Sequence, residues 1–556
     1  WNTGTRVERG VLGIAVLALG LLGTGAVPAR AQGGGGERGS GADGGIYRRP
    51  LSNDPATLDP ARIRDVYSLA VTQQLFDGLV QFDQKLTITP ALAQYWKASR
   101  DGLTWTFTLR KGVKFHHGRE VTVDDAIYSL TRIVDPRTRS GAADLFLAIR
   151  GAREFREGKA RQISGLAALD PHTLEVTLAE ATVPLVSLLA VGHAKVVPRE
   201  VVEQAGDGFG SQPVGTGPFR FVRWARGQEI VLAANPDYFD GAPRLSRVVY
   251  RVFAGAAVDR MYREFESGAL EDAPVPSKNY RDVVASRKHV YVRRPMFSLR
   301  HYGLNSTIRP LNDRRVRQAL IHAIDREAIV DEDFSGRHTF ARGILPPGTH
   351  GYNPRLKGYG HDPARARELL GRAGYPGGRG LPPIGFWSSV KHPGIVREHE
   401  RIARDLAAVG IRAEFHYLPD WPSFLEGLEE KRFPVFLHAW FADVPDPDNF
   451  LFKLFFSRSS RNYFGYANPV VDGLLLDARR AEEDPVRRMA LYRKAEELIL
   501  EDAATIPVWH YTYERLFQTY VKSVEVSGLG DPYVPLRKIW LDRGDRDRPP
   551  AAGQGG

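Results

Sequence analysis

Helix stops followed by strand starts constrain this chain more than any other feature. Asp362-Pro363 and Asp484-Pro485 each set a capping carboxylate ahead of a proline suited to a first helical turn. The first of these helices is expected to stop at Gly374, just before Pro376. Another helix, from about Ile395, is expected to stop at Gly410, and IRAEFHYL at 411–418 then reads as a strand. The alternation also runs upstream. Trp105, Phe107 and Leu109 share one face of a half-buried strand expected over Thr104 to Arg110. Thr122 with Asp125 makes a capping-box-like start to a helix carrying Ile127, Leu130 and Val134. Leu174, Val176 and Leu178 mark a further strand, and Val316, Ala319, Leu320, Ala323 and Ile324 follow helical spacing. Such alternation argues for α/β lobes.

At 556 residues the chain exceeds one compact domain, and the length suggests about three to four structural units. With 43% hydrophobic and 25% charged residues it can bury large cores. The absence of cysteine excludes disulfides, thiolate metal sites, a cysteine nucleophile and a lipidated N-terminal cysteine. The formal charge is +11, but basic residues are dispersed among acids, as in GAREFREGKAR at 151–161. No basic block tracks phosphates, so nucleic acid is not an expected partner.

Residues 1–31 read as a secretory signal peptide. Arg6 and Arg9 precede the apolar stretch 11–27, and Ala29-Arg30-Ala31 fits the cleavage pattern, with the cut before Gln32. No later segment reaches the roughly 18 apolar residues of a membrane span. Residues 32–45 read as a flexible linker and 542–556 as a disordered tail, leaving order from about Ile46 to about Trp540.

Sites for chemistry are hard to find. Gly215 and Gly217 in VGTGPF have the spacing of a phosphate loop, but PFRFVRW after them reads as a strand where such a loop needs a helix. The alternative is a tight turn where side chains would clash. The histidines show no HExxH pair, and G-x-S-x-G is absent. Neither an enzyme's nucleophile nor a metal set is legible, so catalysis, a cofactor and a metal are not expected. Asp443 is different: it ends the apolar run FPVFLHAWFA at 433–442 and is followed by Pro445 and Pro447. A carboxylate there needs a partner. That partner is an internal arginine, a helix start or a ligand, and the residues alone leave these open.

Several blocks in order carry a resemblance. They are LSNDPATLDPARIRDVYSLAVTQQLFDGLV at 51–80, PVGTGPFRF at 213–221, NPDYFDGAP at 235–243, RVRQALIHAIDREAIV at 315–330 and AWFADVPDPDNFL at 439–451. They resemble the extracytoplasmic solute-binding proteins of ABC importers, specifically the oligopeptide/dipeptide/nickel type (family 5). The resemblance implies a two-lobed α/β periplasmic-binding-protein fold (type II, cluster C-like) with an extra subdomain in the N-terminal lobe. Lobe one would span 46–303, with an insertion at about 81–205 and a return at 515–541; lobe two would span 304–514. The hinge would lie at Leu304, Asn305 and Glu514.

The resemblance also implies site roles. Asp443 would bind a peptide's free α-amino group, with Trp440 as an aromatic wall and the backbone of Ala439 and Phe441 pairing with the ligand. Arg64, Asp65 and Val66 would supply contacts from lobe one, and Trp387 and Lys391 from lobe two, with Lys391 a candidate for the ligand carboxylate. Gly215 and Thr216 would lie near the cleft. The expected protein is a periplasmic monomer, not a lipoprotein and not an enzyme, that captures short peptides and delivers them to a membrane permease driven by a cytoplasmic ATPase. Nickel chelates, opines, glutathione and sugars are the alternative solutes. A secreted hydrolase and a sensor are the rival classes.

Overall fold

The computed structural model describes residues 44–179, 185–254, 257–276, 278–391, 393–418, 421–442, 444–481 and 484–543. The expected signal peptide, most of the linker, most of the tail and Asp443 lie outside the described residues. No described helix is long and apolar enough to cross a membrane.

The periodic segments form the expected elements. The strand Thr104–Leu109 buries Phe107 and Leu109, and Trp105 packs against the same core. Thr122 and Asp125 close the capping box of the helix Val123–Val134. Asp362 and Asp484 accept from the backbone N–H of Arg365 and Arg487, opening the helices Pro363–Arg372 and Pro485–Glu501. The helix Pro393–Ala408 is followed by Gly410 at φ 89° and the strand Ala413–Tyr417. The positive φ there suits glycine because no Cβ opposes it.

Two sheet systems build two lobes. In the first, Ile46–Leu51 pairs in parallel with Arg247–Val252, which continues antiparallel to Glu229–Ala234 and Phe219–Ala225. A separate antiparallel sheet joins Ala93–Ala98, Thr104–Leu109, Thr173–Thr177 and Leu166–Asp170. A three-stranded sheet sets Thr512–Phe517 between Asp272–Pro274 and Val290–Pro295. The second lobe is centred on six strands in the order Thr339–Phe340, Thr505–His510, Ser298–Leu304, Val435–Phe441, Ile384–Ser388, Ala413–Tyr417.

The chain passes between the three- and six-stranded sheets at Met296–Phe297 and at Tyr511, and Met296 N–H donates to the Tyr511 carbonyl at 2.8 Å. Leu304 and Asn305 therefore lie within the six-stranded body and Glu514 within the three-stranded one, beyond the crossings on either side. Local patterning shows strands but not which sheet each joins, and the crossings come earlier in the chain than the expected hinge at Leu304, Asn305 and Glu514.

One buried acid gives the second lobe a pH dependence. Glu496 accepts from the backbone N–H groups of Ile344 and Leu345 at 2.7 and 2.9 Å, yet burial outweighs these bonds and pushes its carboxyl up to about 7. A raised carboxyl pKa favours the native state most below the unfolded value near 4.5, and that contribution is lost as pH rises through about 7. Glu496→Gln keeps the acceptor oxygen and cannot ionise. The urea midpoint of the wild type should fall, relative to this variant, between pH 4.5 and 7.5; parallel midpoints would remove Glu496 as the cause.

Candidate functional site

A cavity of about 640 Å³ opens beside the C-terminal half of the strand Val435–Phe441. Its floor is His438, Ala439, Trp440 and Phe441; the opposite wall includes Gly141, Asp144, Leu145, Ala148, Leu188 and His193 of the first lobe. A volume of this size is that of a small-molecule pocket.

The strand offers its backbone. Along one edge it pairs with Ser298–Leu304 over its whole length. Along the other it meets Ile384–Ser388 only through Phe386↔Val435 and Trp387↔Phe436. Among the described residues no strand continues that edge past Phe436, so Leu437–Phe441 presents an open ladder edge beside the cavity. An open edge accepts an extended chain through main-chain hydrogen bonds.

Below it the Asp-Pro-Asp run is pinned. Asp446 holds Arg488 through both oxygens at 2.8 and 2.9 Å, and Asp448 holds Arg479 through both at 2.8 Å. Tyr492 also donates to Asp448 at 2.9 Å, and the backbone N–H of Asp448 donates to Asp446 at 2.9 Å. These buried acids are internally compensated and set the start of the helix Asp448–Phe455 under the cavity. Trp440 is held by its indole N–H on Asn449 at 3.2 Å, with the Lys453 ammonium 5.2 Å from its ring centre. Phe441 is half exposed and stacks on Tyr511, the crossing residue, at 5.0 Å.

His438 sits in a histidine pair, with its Nδ1 3.2 Å from Nε2 of His301, whose Nδ1 is 2.7 Å from the Thr505 hydroxyl. Burial, aided by the charge of Arg461, lowers His438 to about 4, so it is neutral at neutral pH.

The structure brings together only some of the expected residues. Ala439, Trp440 and Phe441 line the cavity. Arg64 does not line it and donates to the Arg139 carbonyl at 2.7 Å, while His193, which does, contacts the Ile63 carbonyl at 3.1 Å. Asp65 caps the helix Val66–Leu75 through Ser68, and Val66 is exposed. Trp387 stacks between His416 and Phe433, each at 4.6 Å, outside the cavity. Lys391 is exposed, over the Tyr417 ring at 5.0 Å, and does not line the cavity.

Gly215 and Thr216 are also outside it. A Cβ on Gly215 would lie 2.0 Å from the Leu75 carbonyl oxygen, so this turn needs glycine for close packing. His116 accepts from Gly215 N–H on Nδ1 at 3.3 Å and donates from Nε2 to the Gly217 carbonyl at 3.0 Å, and burial holds it neutral, lowered to about 4. Thr216 donates to Asp77 at 2.8 Å. Sequence reasoning missed His438, His193 and Arg461, which carry no motif.

The model for bacterial extracellular solute-binding proteins, family 5, matches residues 87–462. A probable di/tripeptide-binding protein 5 of Pseudomonas aeruginosa is 30% identical over 480 residues, covering 82% of this chain and 88% of that protein. Heme-binding protein A of Haemophilus influenzae is 30% identical over 492 residues, covering 83% and 86%. The ABC transporter-associated periplasmic binding protein DppA from Helicobacter pylori, solved with the peptide STSA, superposes with a TM-score of 0.73 at 27% identity, covering 90% of this chain and 99% of that one.

Proposed function

The chain belongs to the bacterial extracellular solute-binding proteins, family 5, and we propose that it captures short peptides for an ABC importer. As a member of that family it is a transport component, not an enzyme, and its two lobes are those of the periplasmic-binding-protein fold. The observation that carries the peptide reading is the open edge Leu437–Phe441 along the cavity floor. A peptide added there gains main-chain hydrogen bonds whatever its side chains, which suits a carrier of many sequences.

The first-lobe wall completes the enclosure. A ligand touching both walls favours the closed arrangement of the lobes by its differential affinity for it. Phe441 stacked on Tyr511 links the ligand edge directly to a crossing strand. The closed form would then be presented to a permease whose motor is a cytoplasmic ATPase. Removal of residues 1–31 would place the mature chain in the periplasm. Asp443, next in sequence to Ala442 and Val444, would hold the peptide's ammonium, as the family resemblance implies.

Thermal shift of residues 32–556 against short peptides tests this reading, each peptide offered with a free and an acetylated N-terminus. A ligand that binds only the native state stabilises by RT ln(1 + [L]/Kd). Free-amine peptides should raise the melting temperature and acetylated ones much less. Equal shifts would remove the ammonium anchor but keep peptide capture. No shift with any peptide would sink the reading and turn the search to nickel chelates, opines, glutathione and sugars.

A further inference from the structure

Away from the interlobe cleft, the first lobe encloses a smaller cavity of about 90 Å³. Three of the spaced sequence blocks converge on it: Asp77 comes from the block at 51–80, Pro218 from the turn at 213–221 and Tyr238 from NPDYFDGAP. The returning segment adds Pro532 to Pro535 and Arg537. Lys195 reaches the cavity from a backbone bridge with Gly78. None of these residues lines the interlobe cavity. Lys195 is only 6% exposed, and its ammonium has no hydrogen bond and no ion pair among the described residues.

The charges around it are arranged unequally. Asp77 acts on Lys195 from beyond ion-pair distance. Both its carboxylate oxygens are taken by neutral donors, the Thr216 and Tyr238 hydroxyls, each at 2.8 Å. Arg537 brings a second cation, which donates to the carbonyl and the carboxylate of Asp240 and is also felt at Asp77. Burial lowers Lys195 to about 8 while Asp77 works the other way, so it is mostly an ammonium at neutral pH. An ammonium kept from water, with N–H groups that meet no acceptor, is costly until an acceptor arrives. Gln84 lines the same cavity with its Oε1 buried and without a donor, so its amide gains by presenting N–H groups to an acceptor as well.

We propose that this cavity binds a small monovalent anion, a halide or a carboxylate of formate size, on the Lys195 ammonium. The volume sets the size, since it holds about three waters and no peptide. Asp77 on the wall sets the charge, because a dianion would meet twice the repulsion there. The anion accepts the N–H groups that the fold leaves unused, as charge-assisted hydrogen bonds. It lies where the segments carrying Asp77, Lys195, Tyr238 and Arg537 meet, so its binding stabilises the first lobe. The site is separate from the peptide cleft, and peptide capture stands whether or not it is filled.

Anomalous diffraction from crystals of residues 32–556 grown in sodium bromide tests the assignment directly. A bromide peak should stand within hydrogen-bond reach of Lys195 Nζ. In solution, sodium bromide and sodium formate should each raise the melting temperature along a saturating curve. Sodium sulfate at equal ionic strength strengthens burial without a site and should give a rise that does not saturate. Lys195→Met alone would strand the Asp77 charge, so the double variant Lys195→Met/Asp77→Asn, which removes both charges, is the comparison. In it the bromide peak should vanish and the apparent affinity from the bromide curve should fall at least about tenfold, the weight of one charge-assisted anchor. The peak in the wild type needs no folded variant. No bromide at Lys195 Nζ, rises that fail to saturate in all three salts, or a saturating curve that survives unchanged in the double variant would each overturn the site.

Discussion

Asp443→Ala should weaken free-amine peptides by about 3–5 kcal/mol, the cost of enclosing a ligand ammonium between the lobes without its partner. The reasoning starts from its neighbours. Ala442 N–H is tied to the Phe297 carbonyl at 2.9 Å, and Val444 is buried and lines the cavity. The next two acids of the run already have arginines, Arg488 for Asp446 and Arg479 for Asp448, each through two hydrogen bonds. A ligand ammonium is the partner of Asp443 that the family resemblance implies. The loss should be confined to peptides with a free amine; acetylated peptides should bind the variant and the wild type alike. Titration calorimetry of both peptide forms reads the difference. An equal loss for both would mean that the substitution deforms the strand end and that no ammonium is held there.

Arg488→Met should lower the unfolding free energy of the second lobe by about 3–5 kcal/mol, because Asp446 would remain buried with its charge uncompensated. Both side chains are close to fully buried, and the pair joins a loop to the helix Pro485–Glu501. The pair does more than hold two elements together. Asp446 also accepts the Asp448 N–H, and Asp448 with Arg479 and Tyr492 forms the next layer toward the cavity. Loss of Arg488 should therefore reduce peptide affinity as well as stability. The double variant Arg488→Met/Asp446→Asn removes both charges and keeps an acceptor for Asp448 N–H. It should recover most of the stability, since deleting a whole buried pair is often close to neutral. Urea denaturation followed by tryptophan fluorescence measures the midpoints. A single variant as stable as the wild type would show that the pair is solvated and carries no structural load.

Much of the architecture was legible because its signals are local. The capping box of Thr122 and Asp125, the Asp-Pro starts at 362 and 484, and the Gly410 stop each act within one turn of chain. The alternation of Phe107 and Leu109 needs only a strand with one buried face. The spaced blocks named the family because they preserve order over most of the chain. The site was legible only in part. Ala439, Trp440 and Phe441 line the cavity. Trp387 sits two residues into a pairing with the same strand, yet its ring is consumed by His416 and Phe433. Gly215 and Thr216 serve close packing against Leu75 and Asp77, not the ligand.

The sequence by itself determined the elements, their alternation and the family, since caps, stops and periodicity are settled by residues within a few positions of one another. The tertiary structure alone decided three things. It ended the neighbouring strand early enough to leave Leu437–Phe441 with an open edge. It matched Asp446 with Arg488, 42 positions away, and so removed that acid from the pool of ligand groups. It set Arg461, 23 positions from His438, beside it in the cavity wall on the Tyr463 hydroxyl. Whether an edge is covered or a charge is compensated depends on which distant segments arrive beside it. Residue type and spacing do not contain that information.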